Sequence, residues 1–119
     1  MTNRATIDHS ALETLLEAVG GDQAFLAELI GDFFAGAPQL LQAMRQALAA
    51  GDPAELRRAA HSLKSNSASF GAGVLEQLCR ELEARGNDGR LSGAGALLDA
   101  IEAEYARVEQ ALQSTRQVG

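Results

Sequence analysis

Cysteine occurs once, at Cys79, so no disulfide can close within the chain and a Cys-rich metal site is excluded. Tryptophan is absent, and aromatic residues are limited to four phenylalanines and one tyrosine. A core must therefore be filled by leucine, alanine and valine, as in a helical bundle. Strand-like runs of valine, isoleucine, threonine and aromatics are missing too. Basic residues number 10 against 16 acidic ones, and the formal charge of −6 argues against general nucleic-acid binding, which needs a basic surface. Residues 1–30 lack the continuous apolar core and cleavage pattern of a signal peptide. No uninterrupted apolar run approaches the roughly 18 residues of a membrane span. The expectation is a cytoplasmic protein or module with no membrane contact. The 119 residues suit one domain, with a core over about 7–113 and no internal repeat or low-complexity linker.

What is present is a succession of helical stripes. After a loose lead-in over 1–7, Asp8 can cap a short helix to about Ala18, with Leu12, Leu15, Leu16 and Val19 on one face and Gly20-Gly21 ending it. His9 reads as an exposed residue of the first turn. Asp22 can cap a long helix over 22–49 with a core stripe of Leu26, Leu29, Phe33, Ala37, Leu40, Met44 and Leu48. Pro38 falls inside it, so a kink or a break is expected there. Ile30, Phe34 and Leu41 form a second apolar flank, which is either a docking surface for a partner or is covered by the first helix. Asp52-Pro53-Ala54-Glu55 is a strong helix start, with Asp52 capping, Pro53 in the first position and Glu55 able to reach back. That helix should run over 53–70. The next, 72–85, turns Val74, Leu75, Leu78, Cys79 and Leu82 inward, and its outer face carries Glu76–Arg80 and Glu81–Arg85 pairs. Among leucines, Cys79 reads as core filler. A turn at Gly86-Asn87-Asp88-Gly89 precedes a helix over 93–113, capped by Ser92, with Leu98, Ile101, Tyr105, Val108 and Leu112 as its stripe. Residues 114–119 look frayed. Four such stripes joined by short turns predict an all-α, antiparallel four-helix bundle with an extra short N-terminal helix.

The informative stretch is Ala60 to Ala72. Leu56, Ala60, Leu63, Ser67 and Phe70 recur at helical steps and should be buried. His61 lies about 100° round from Ala60, off that stripe. Arg57, Lys64, Ser65 and Ala68 share its face, and Arg58 adds a further cation nearby. No charged residue occurs from Ser65 to Leu75. An imidazole among short side chains, with cations a turn away, suits an anion on the ring and a flat partner pressed against it. An exposed imidazole titrates near pH 6.5, so near neutrality much of it offers a lone-pair nitrogen as nucleophile. The chain has no G-x-x-x-x-G-K-[ST] loop, no kinase Gly-rich loop and no evident carboxylate cluster for Mg²⁺ near His61. It is not expected to bind ATP or to phosphorylate itself, and no metal site is expected.

The run AHSLKSNSASFGAGVLEQLCRELE resembles the signature of histidine-containing phosphotransfer (HPt) domains, over about Ile7 to Val108. The matching positions are Ala60, His61, Lys64, Gly71, Leu78, Cys79, Leu82 and Glu83. Ser65 departs from the pattern, standing where many members have glycine. The resemblance implies that His61 accepts a phosphoryl group on its distal nitrogen, Nε2, from a phospho-aspartate of a response-regulator receiver domain and passes it to another receiver. It implies Lys64 as phosphate partner, with Ser65 either contacting the phosphate or passive. Gly71 would make the left-handed turn that ends the helix. Receiver domains and a hybrid histidine kinase are the implied partners, with Arg57, Arg58, Ala68, Ile30 and Phe34 as docking residues. No cofactor is expected on this chain, since the receiver brings its own Mg²⁺. Two alternatives stay open, the dimerisation hairpin of a histidine kinase and a helical adaptor that never carries phosphate. Ser62 stands where the hairpin typically has an acidic residue, and a chain able to close its own bundle should be monomeric.

Overall fold

The computed structural model describes residues 6–118, with side chains as far as residue 115. Five helices follow one another: α1 (His9–Ala18), α2 (Gln23–Ala50), α3 (Pro53–Ser69), α4 (Gly73–Asn87) and α5 (Ala94–Val118). No strand occurs among the described residues. Connections of only a few residues force consecutive helices antiparallel. The packed pairs α2–α3, α3–α4, α4–α5 and α5–α2 close a four-membered ring, and α1 lies across α2 and α3.

The helix starts follow from the caps. Asp8 Oδ1 accepts from the Ser10 N–H, Asp22 Oδ1 from Phe25 N–H and Asp52 Oδ1 from Glu55 N–H. Glu55 does not reach back. The Asp52 N–H already donates to the Ala47 carbonyl at 2.9 Å, so the carboxylate turns forward to Arg58 instead. Ser92 does not cap α5. That helix begins at Ala94 after Gly93 (φ 77°), and Ser92 offers its carbonyl to Arg85. This contact takes Arg85 away from the expected pair with Glu81, whereas Glu76–Arg80 forms at 3.0 Å. α2 runs through Pro38 without a break, the proline lying on the exposed face.

The core contains the expected α3 and α5 stripes, with Leu56, Leu63, Leu98 and Leu112 fully buried, each contributing about 2 kcal/mol of hydrophobic stabilisation. On α2 the buried stripe is Leu26, Ile30, Phe33, Ala37, Met44 and Ala47, while Leu29, Leu40 and Leu48 are half-buried at its margins. The stripe thus lies slightly round the helix from its expected place. Val74 and Leu78 are likewise only half-buried. By length and composition α2 is apolar enough to cross a membrane, an amendment to the sequence expectation. Here its apolar stripe is covered by α3 and α5. Ile7 is buried, so the lead-in is anchored at its end, whereas residues 1–5 lie outside the described residues. α5 continues to Val118 rather than fraying from 114.

Two glycines set the geometry around α3. Gly71 has φ 73°, and its carbonyl accepts the Asp8 N–H at 2.8 Å, tying the start of α1 to the end of α3. A Cβ on it would lie 2.7 Å from the Asp8 carbonyl oxygen. Gly86 was expected in a turn but belongs to the last turns of α4. A Cβ there would lie 2.8 Å from the Pro53 carbonyl oxygen and 2.9 Å from Arg57, so α4 approaches α3 backbone to backbone.

Candidate functional site

Ala60 and Leu63 point into the core, and this rotation of α3 turns His61 outward, its side chain 56% exposed. The close approach at Gly86 brings α4 alongside. One turn earlier on α4, Glu83 reaches across to α3. Its Oε2 lies 2.7 Å from His61 Nδ1 and its Oε1 2.6 Å from Lys64 Nζ. One carboxylate therefore holds both side chains, one oxygen for each. Glu83 and Lys64 are only 20% and 23% exposed, so the bridge sits in the α3–α4 crevice while the ring stands at its mouth.

Burial would raise the affinity of Glu83 for a proton. Hydrogen bonds from Lys64 and His61, with their charges, outweigh it and hold the carboxyl below its ordinary value of 4.5. An ionised carboxylate only accepts, so the 2.7 Å contact requires a proton on Nδ1. In the neutral ring the lone pair is then on Nε2, which has no hydrogen-bond partner among the described residues. The site is a fixed imidazole presenting its distal nitrogen to solvent as a nucleophile.

His61, Lys64 and the exposed Ser65 and Ala68 share one face, as the spacing predicts. The surroundings are less basic than expected. Lys64 is matched by Glu83, and Arg58 is paired with Glu55. Arg57, exposed beside the ring, is the cation of this group without an ion-pair partner among the described residues. Ile30 is 1% exposed and belongs to the core, so it cannot dock a partner. It faces inward because the buried stripe of α2 lies further round the helix than its leucines suggest. Phe34 is half-buried, its ring centroid 6.5 Å from that of Phe33. Toward the far end of α3, a cleft of about 400 Å³ opens between α1, α2 and α3. Leu15, Leu29, Phe33 and Phe70 line it with Asp32, Asn66 and Ser69. His9 is exposed at the start of α1, away from this group.

Cys79 is fully buried, its thiol pushed up to about 12 by burial first and then by the Glu83 charge, which makes it inert filler. No cluster of three or more His, Cys, Asp or Glu suited to a metal exists among the described residues. Glu83 is the site residue that the reading of His61's own helix missed. It stands 22 positions away, and only its place at the end of the Leu78-Cys79-Leu82-Glu83 pattern signalled it.

Two comparisons with known proteins bear on this geometry. The family model described as "Hpt domain" matches residues 28–111. The crystal structure of histidine-containing phosphotransfer protein B (HptB) from Pseudomonas aeruginosa PAO1 is similar over 98% of this chain and 99% of that one, with a TM-score of 0.89 and 32% sequence identity. Among curated proteins no sequence matches significantly.

Proposed function

Because the chain belongs to the Hpt domain family and is a histidine phosphotransfer protein of a phosphorelay, we propose that His61 Nε2 is the atom that takes up and hands on the phosphoryl group. The observation that carries this is the 2.7 Å contact between His61 Nδ1 and Glu83, which leaves the outward nitrogen with the lone pair. A phosphorylated receiver domain supplies the phosphoryl group and the Mg²⁺ site. The chain acts as an intermediate, without ATP or a cofactor of its own. Its partners are receiver domains and a hybrid histidine kinase, and it works in the cytoplasm as a monomer.

The face offered to the receiver is the ring with Ser65, Ala68 and Arg57, continued by the cleft beside Asn66 and Ser69. Small side chains around His61 let a flat surface approach, and half-buried Phe34 adds apolar contact on α2. Lys64 moves from Glu83 to the arriving phosphoryl oxygens, where a charge-assisted contact is worth about 1.5–3 kcal/mol. Ser65 offers a hydroxyl to the same oxygens. Radiolabel transfer from one phosphorylated receiver tests the assignment. His61→Gln should stay folded and accept no label, and His9→Gln should behave as wild type. Lys64→Ala should still be labelled, about ten- to a hundredfold more slowly. Undiminished labelling of folded His61→Gln would remove His61 from the reaction.

A further inference from the structure

About two turns along α3 from His61, the docking face ends in the cleft lined by Asn66 and Ser69, and α2 supplies that cleft with a carboxylate, Asp32. We infer that this cleft is a specificity pocket: it takes a lysine or arginine side chain from the docked receiver domain, with Asp32 as its counter-ion. The inference rests on His61 being the phosphoacceptor that receivers meet.

The lining suits such a side chain. Leu29, Phe33 and Phe70 give apolar walls against which an alkyl stem can lie. Phe25, one turn before Leu29 on α2, is 43% exposed and extends that wall outward. At the polar rim a carboxylate only accepts hydrogen bonds, and the Asn66 amide oxygen can accept beside it. The Ser69 hydroxyl donates to the Ser65 carbonyl, which leaves its oxygen free to accept as well. Asp32 has no ion-pair partner among the described residues. The chain brings no cation of its own to this end. From residue 5 to residue 44 there is neither lysine nor arginine, and from Ser65 to Leu75 no charged residue at all. Lys64, the nearest cation on α3, is held by Glu83. The acids are not all engaged either. Asp8 and Asp22 cap helices, whereas Glu28 stands exposed one turn before Asp32 on the same face of α2. A receiver approaching here meets a negative surface without a counter-charge, which a cation of its own would supply.

The pocket lies under the partner that meets His61. Ser69 is about 12 Å from His61 along the helix axis. Even a small transient interface covers about 600 Å² per partner, a patch roughly 30 Å wide. Toward the other end of that patch stands Arg57, about 6 Å from His61 along α3 and likewise without an ion-pair partner among the described residues. The face is therefore negative at the cleft and positive at Arg57. A receiver that is basic over the cleft and acidic over Arg57 matches it in one orientation, and turning that receiver half round sets like charges together.

Asp32→Asn removes the charge and keeps the shape, and Asp32→Lys reverses the charge. Both, checked for folding by circular dichroism, are compared with wild type in two reactions. Phosphoramidate labels His61 without a docked protein, and its rate should be the same for all three. The second donor is the member of a panel of purified, phosphorylated receiver domains that labels wild type fastest. KM for that receiver should rise about threefold with Asp32→Asn and at least about tenfold with Asp32→Lys, with kcat held within about twofold. Exposed lysines and arginines of the receiver are then changed to glutamate one at a time. One such change should slow transfer to wild type and restore it to Asp32→Lys. An unchanged KM in Asp32→Lys, or a deficit that no receiver substitution reverses, would overturn the inference while leaving the relay reading intact. An equal loss with phosphoramidate would place Asp32 in the chemistry rather than in docking and would overturn it too. Failure of phosphoramidate and of every phosphorylated receiver to label His61 of folded wild type would overturn both readings.

Discussion

Replacing Gly86 by alanine should destabilise the protein, although alanine is the better helix former. The added Cβ would sit 2.8 Å from the Pro53 carbonyl oxygen and 2.9 Å from both the nitrogen and the Cβ of Arg57. Contacts of about 3.4 Å are needed to relieve it, so α3 and α4 must part by about half an ångström near this end. Forcing extra volume into a packed contact costs about 1–3 kcal/mol, and the gain in helix propensity returns about 1 kcal/mol. The net loss is about 0–2 kcal/mol, several degrees in Tm at the upper end for a chain of this size. Gly36 is the control. It lies inside α2, and a Cβ there meets nothing within 4 Å, so Gly36→Ala should stabilise by up to about 1 kcal/mol. The parting of α3 and α4 also reaches the site one turn away. It would stretch the His61–Glu83 contact from 2.7 Å to about 3.2 Å, slowing transfer beyond the loss of folded protein. Urea denaturation of both variants, with phosphotransfer measured where each is fully folded, checks both halves. If Gly86→Ala proves as stabilising as Gly36→Ala, the claim that a backbone approach sets the site is wrong.

Gly71→Ala should cost at least about 2 kcal/mol, since it combines a left-handed residue with a clash against Asp8, and limited proteolysis should then cut near α1 first. Tyr105→Phe should be neutral or stabilising by up to about 1 kcal/mol in thermal melts, because the hydroxyl is buried without a partner among the described residues while the ring edge against Phe33 is kept. Glu83 has a lowered carboxyl, so its contribution is complete above the ordinary value of 4.5 and is lost as pH falls through its folded value. Wild type should therefore lose stability on acidification in that range, as read by urea midpoints, and Glu83→Gln should lose less.

The helices and their order were legible because leucine, alanine and valine at helical spacing can be buried in few other ways. Asp8, Asp22 and Asp52 marked the starts, since each caps through an interaction local in sequence. The rotation of α3 was legible for the same reason and put His61 outward. What failed depended on neighbours from elsewhere in the chain. Ile30 read as a flank because α2 alone does not reveal which partners surround it. Gly86 read as a turn because glycine signals a chain reversal and a close helix approach with the same letter. Arg85 left Glu81 for a carbonyl supplied by the loop after α4. Glu83 entered the site through a contact 22 residues away, between helices whose spacing no local pattern states.

The tie between Asp8 and Gly71 separates the pattern that identifies the family from the unit that folds. The family match begins at residue 28. A fragment cut there would begin inside the second turn of α2 and would lack Ile7, Leu12 and Leu26, all buried. It would leave the Gly71 carbonyl without its donor and open the cleft along Phe33 and Phe70. Anyone excising this module, grafting it into a chimaeric kinase or splitting it for a reporter should therefore place the upstream junction before residue 7. The stub ahead of the recognised region is structural cargo, and α3, the helix that bears His61, depends on it to end where it does.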